Sequence, residues 1–275
     1  MKFVQRLELA WAAGQTLLCI GLDPDPARLP KQLAASNHPI FEFGSAIVDA
    51  TADLVCAYKP QIAYYAAARA EDQLEMTIAH IRRHHPAIPV ILDAKRGDIG
   101  STAEMYAKEA FERYQADAVT VNPYLGFDAM APFLEFSDKG VIVLCRTSNP
   151  GARDVQDIES KGRKLYQIIA EKAACDWNAK GNVLLVVGAT YPEELAEIRA
   201  IAGDMPILVP GVGTQGGEVA AVVANGATAD GTGLIISASR AVLYAGSGKD
   251  YAEAARSAAQ KLRDEINLCR KIKSA

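Results

Sequence analysis

The chain has 275 residues, half of them apolar and 23% charged, a balance that builds a sizeable core and excludes a disordered polymer. Lysine and arginine total 29 against 33 acids with no long run of like charge, so a polyanion such as nucleic acid is not expected as a partner. No stretch of about 18 apolar residues occurs, so no membrane span is expected.

Positions 1–14 carry Phe3, Val4, Leu7 and Trp11 at helical spacing with polar residues between them, which reads as an amphipathic helix and not as a signal peptide. A soluble, cytoplasmic protein is expected. Cys19, Cys56, Cys145, Cys175 and Cys269 are odd in number, far apart and form no CxxC pair, so they read as reduced thiols, three of them buried.

Eight short apolar runs follow, at 16–21, 55–60, 89–93, 118–122, 140–145, 182–187, 206–209 and 233–237. Runs such as Val141-Ile142-Val143-Leu144 are apolar at consecutive positions, as strands covered on both faces must be. Helical patterns alternate with them, among them Glu71–His84, 101–114, Pro192–Ala202 and 250–273. Ser101 followed by Glu104 reads as a capping box opening one of these helices. The alternation predicts an α/β fold, a (β/α)8 TIM barrel forming a single domain over 1–275, with a helix ahead of the first strand. An open dinucleotide-binding sheet is disfavoured, because Gly21-Leu22-Asp23-Pro24-Asp25-Pro26 replaces the GxGxxG turn.

Barrel enzymes carry their chemistry at the C-terminal ends of the strands. Here the first strand ends at Asp23, the second at Lys59, and the third runs into Asp93-Ala94-Lys95-Arg96-Gly97-Asp98. Period two along a strand places Asp93 and Lys95 on one side. At roughly 4 Å and an effective dielectric of about 20, each opposite-charge contact is worth on the order of 4 kcal/mol before desolvation. A structural ion pair is the alternative reading; charges at neighbouring strand ends favour a site.

After the seventh strand comes Pro210-Gly211-Val212-Gly213-Thr214-Gln215-Gly216-Gly217, and after the eighth Ser237-Ala238-Ser239-Arg240. Loops after strands seven and eight are where such barrels hold phosphate, with glycine N–H groups, the Gln215 amide and the Arg240 guanidinium as donors. Composition and spacing alone indicate a phosphate-binding barrel.

Taken together, Asp23, Lys59, Asp93-Ala94-Lys95-Arg96-Gly97-Asp98-Ile99-Gly100-Ser101-Thr102, Thr147-Ser148-Asn149-Pro150-Gly151 and the glycine-rich segment at Pro210 resemble the orotidine 5'-phosphate decarboxylase family, in its longer bacterial branch, over 21–244. The resemblance implies conversion of orotidine 5'-phosphate to UMP and CO2 in de novo pyrimidine biosynthesis, without metal or cofactor, by a homodimer with shared active sites. It implies that Lys59, Asp93 and Lys95 meet Asp98 of the partner subunit, with Lys95 as proton donor to C6. It also implies that Asp23 and Lys59 hold the ribose, that Thr102 reaches it across the interface, that Ser148 contacts the pyrimidine, and that Pro210, Gln215 and Arg240 line the phosphate end.

Arg96-Gly97 lies where other branches of the family differ, and the polar loop 152–161 has no assigned role. The histidines are His38, His80, His84 and His85; the last two read as a solvated helix end and not as a metal site. Two rivals stand beside this reading: a cation-dependent sugar-phosphate barrel, such as a keto-gulonate phosphate decarboxylase or hexulose phosphate synthase, and a nucleotide-binding barrel without catalysis.

Overall fold

The computed structural model describes residues 1–212 and 216–274. Eight strands form one parallel sheet: β1 (Leu18–Leu22), β2 (Ala57–Pro60), β3 (Ile91–Arg96), β4 (Ala118–Val121), β5 (Gly140–Arg146), β6 (Val183–Val187), β7 (Ile207–Pro210) and β8 (Leu234–Ala238). The hydrogen-bonded order is β2-β1-β8-β7-β6-β5-β4-β3. Two isolated parallel bridges, Tyr58 to Val90 and Gln61 to Asp93, join β2 to β3, so the sheet closes on itself as a barrel. Val183 to Val187 are buried at every position, because side chains of the barrel interior lie on one face and helices on the other.

The outer layer includes α1 (Phe3–Gly14), α2 (Pro39–Thr51), α3 (Glu71–His84), α4 (Gly100–Lys108), α5 (Phe127–Leu134), α6 (Leu165–Glu171), α7 (Pro192–Ala202), α8 (Gly216–Gly226), α9 (Arg240–Leu243) and α10 (Tyr251–Ser274). As its spacing predicts, α1 buries Phe3, Leu7 and Trp11. The Phe3 ring packs so closely on β5 that a Cβ at Gly140 would stand 2.4 Å from Phe3 Cδ1, and Arg6 pairs with Asp117. The helix thereby plugs the N-terminal end of the barrel, and no helix among the described residues is long and apolar enough to cross a membrane. Cys19, Cys56 and Cys145 are buried free thiols, in keeping with the reduced cysteines expected.

Two local expectations are corrected. The third strand does not stop at Asp93 but continues to Arg96. The capping box at Ser101 does not form: α4 starts one residue earlier, with Ile99 at the N-cap and no side-chain cap. Asp98 supplies the reason, since its Oδ1 accepts the Ile99 N–H at 2.8 Å, and Gly100 at φ +53° turns the chain into the helix before Ser101. The helical pattern expected to 114 holds as α4 followed by a wider π turn at Glu109–Arg113.

Candidate active site

Three neighbouring strand ends deliver opposite charges to one mouth. Lys59 is the penultimate residue of β2 and Asp93 lies within β3; their side chains are 6% and 9% exposed, and Lys59 Nζ donates to Asp93 Oδ2 at 2.9 Å. Lys95 Nζ donates to the other oxygen, Oδ1, at 2.6 Å, but its side chain is 47% exposed and therefore the one a ligand can reach. Burial works against a charged Asp93, yet Lys59 and Lys95 outweigh it and lower the carboxyl from 3.8 to about 2. Burial likewise opposes the Lys59 ammonium, but Asp93 and then Asp23 prevail and raise it above its ordinary value. Both groups are ionised at neutral pH.

The sharing of Asp93 does not come from regular alternation. Leu92 pairs with Val119 and Arg96 with Val121, so β3 carries two residues more than β4 between these points, and Lys95 adopts φ +47°. A left-handed lysine is strained and needs an external hold. Thr120 of β4 provides it: its Oγ1 accepts the N–H groups of Ala94 at 3.0 Å and Lys95 at 2.9 Å and donates to Asp93 Oδ1 at 2.9 Å. Sequence reasoning passed over Thr120, although it is the sole polar residue in the buried Ala-Val-Thr-Val strand. Arg96 forks onto both oxygens of Glu109 at 3.0 Å and covers the Tyr106 ring.

From Lys59 and Asp23 a cavity of about 270 Å³ extends past Ser237 and Ser239 to Pro210, Gly211 and Arg240. Of the expected residues, Asp23, Lys59, Pro210 and Arg240 thus line one space. Asp23 Oδ1 and Ser239 Oγ are buried there without a hydrogen-bond partner among the described residues, which suits them to a polar ligand. Gly21 makes the room, since a Cβ would lie 2.9 Å from Ser239 Cβ. Arg240 opens α9 and is exposed, while Gln215 lies outside the described residues.

Ser148 follows β5 and is exposed; Gly188 allows its backbone to approach, because a Cβ there would meet Ser148 Cβ at 2.7 Å. Asp98 and Thr102 are not drawn into the Lys59–Asp93–Lys95 cluster. Asp98 makes no ion pair among the described residues, and Thr102 lies exposed in the first turn of α4.

Residues 16–257 match the family model of the orotidine 5'-phosphate decarboxylase / HUMPS family. The chain belongs to this family. A curated orotidine 5'-phosphate decarboxylase from Ralstonia nicotianae is 63% identical over 270 residues, 98% of this chain and 100% of the relative. That of Azoarcus sp. is 62% identical over the same shares. Among solved structures, the Leishmania donovani OMP decarboxylase superposes with a TM-score of 0.86 at 39% identity, covering 98% of this chain and 99% of its own. The barrel and the family expected from the sequence are both borne out.

Proposed function

We propose that this chain converts orotidine 5'-phosphate to UMP and CO2 in de novo pyrimidine biosynthesis, in the cytoplasm, with Lys95 as the proton donor. The observation that carries the reading is Asp93, ionised between a buried lysine and a lysine open to the mouth. In the reaction the bond from C6 to the carboxyl carbon breaks, CO2 leaves, and the electron pair stays on C6 in the ring plane, where no π-system accepts it. An ammonium held beside C6 stabilises that charge and then transfers its proton there. Asp93 and the strained backbone of Lys95 aim the ammonium; Asp23 and Lys59 take the ribose, Ser148 the pyrimidine, and Pro210, Gln215 and Arg240 the phosphate. Phosphate binding remote from C6 supplies energy for organising the site around the ring.

Lys59 also argues against a cation-dependent sugar-phosphate reaction. Its Nζ stands 2.9 Å from Asp93, so a divalent ion on that carboxylate would face an ammonium at contact distance.

The site is completed by a second copy of the chain, whose Asp98 and Thr102 reach across. Ile99 and Met105, together with Tyr124, Leu125 and Phe127 on the next βα connection, are exposed apolar residues flanking Asp98 and Thr102, which fits a surface covered in a homodimer. In EDTA, wild-type protein consumes orotidine 5'-phosphate, followed by its absorbance, and Lys95→Ala lowers turnover by about four orders of magnitude. Loss of wild-type activity in EDTA, or a Lys95→Ala variant that keeps its rate, overturns the proposal.

A further inference from the structure

A second group of chemically active side chains lies on the opposite end of the molecule. Asp49, near the end of α2, meets His80 of α3 and His85 just beyond it. Nε2 of His80 is 2.8 Å, and Nε2 of His85 2.7 Å, from the same oxygen, Asp49 Oδ1. The arrangement departs from the solvated helix end expected for this region. Spacing could not show it, because Asp49 comes from another helix.

Three features set it apart from a casual surface pair. The two rings converge through their outer nitrogens on one carboxylate, and the three candidate ligand atoms lie within 4.8 Å of one another. The His80 ring is held by neighbours, edge-on to Phe41 at 6.0 Å and 4.6 Å from the His84 ring. The side chains of His80 and His85 are 16% and 22% exposed, whereas Asp49 is 53% exposed beside a cavity of about 630 Å³, which leaves an entry path and room for water.

We propose that Asp49, His80 and His85 form a binding site for a divalent transition ion, Zn²⁺ above all, that clasps α2 to α3 on the barrel face away from the catalytic mouth. Two imidazoles and a carboxylate are the donor set that Zn²⁺ accepts with an open fourth position, while Mg²⁺ and Ca²⁺ call for oxygen ligands. Ligands about 2.1 Å from a tetrahedral ion sit about 3.4 Å apart, so the ion enters once the N···O contacts part by roughly 0.6–0.7 Å. The ring protons then reside on Nδ1.

Wild-type protein stripped with EDTA and desalted is titrated calorimetrically with ZnCl2 in a non-chelating buffer. One ion binds per chain, MgCl2 gives no heat, and His80→Ala and His85→Ala each weaken binding by more than about 100-fold, beyond the roughly 10–100-fold loss usual for outer-shell changes. Histidine ring ¹⁵N spectra of the wild type locate the ion without a variant: the Nε2 signals of His80 and His85 shift on addition of zinc. Absence of saturable binding overturns the site, as do undiminished affinity in both folded variants and ring signals of His80 and His85 that do not respond. The decarboxylase assay in EDTA is independent of each of these results.

Discussion

At Thr120 one hydroxyl serves three partners, accepting two N–H groups of the β3 bulge and donating to Asp93. Thr120→Val is nearly isosteric but leaves those N–H groups without an acceptor and Asp93 with one donor fewer, a loss of about 1–3 kcal/mol per unmet group. The expected result is kcat lower by about 10–100-fold with KM little changed, since the ammonium is misaimed while the phosphate end is untouched, and recovery in Thr120→Ser. Steady-state kinetics decide; a Val variant with the wild-type rate would show that β3 holds Lys95 unaided. At this scale the charges were legible in the sequence, because Lys59 and Asp93 sit in runs that are otherwise apolar. Thr120 and Ser239 were not singled out, since hydroxyls occur in buried strands for many reasons and their partners come from other strands.

Between elements, Arg146 at the end of β5 joins parts that are distant in the chain. It is buried, its Nε and Nη2 fork onto Glu194 of α7 at 2.5 and 3.0 Å, and its Nη1 stands 3.2 Å from Asp157. Asp157 belongs to the loop 152–161, which contains a helical turn at Arg153–Gln156 and one arm of a small hairpin, Glu159–Ser160 with Arg163–Lys164. Gln156 ties the same loop back to the Thr147 N–H and hydroxyl beside Ser148. The loop that sequence reading left unassigned is thus anchored to the strand end that carries Ser148. Arg146→Met would leave Glu194 half-buried and unpaired and release the loop, with a stability loss of about 3 kcal/mol. Limited trypsin digestion should then cut at Arg153 or Lys161 faster than in wild type, and an unchanged cleavage rate would deny Arg146 this role. The misplaced capping box belongs to this scale too: Ser-Thr-Ala-Glu suits a cap, but Asp98 and Gly100 started the helix first.

For the molecule as a whole, the proposed decisive step is assembly. The cluster within one chain has two lysines around one ionised aspartate, and Asp98 stands apart from it. Mixing inactive Lys95→Ala and Asp98→Ala subunits should rebuild one intact shared site in each heterodimer, or about a quarter of wild-type activity per site after random exchange, by the two-fold symmetry of such an interface. Activity no higher than that of either parent would mean that each chain works alone.

Chain order and composition by themselves determined the alternation of strands and helices, the barrel, and the charged and glycine-rich strand ends, since these follow from apolar period and from the cost of placing charge in a core. Tertiary structure alone decided what those residues do to one another. The bulge that turns Lys95 onto Asp93, the hydroxyl of the next strand that holds it, the Arg146 anchor and the Asp49 histidine pair each depend on how neighbouring elements pack, which brings their groups within reach of one another.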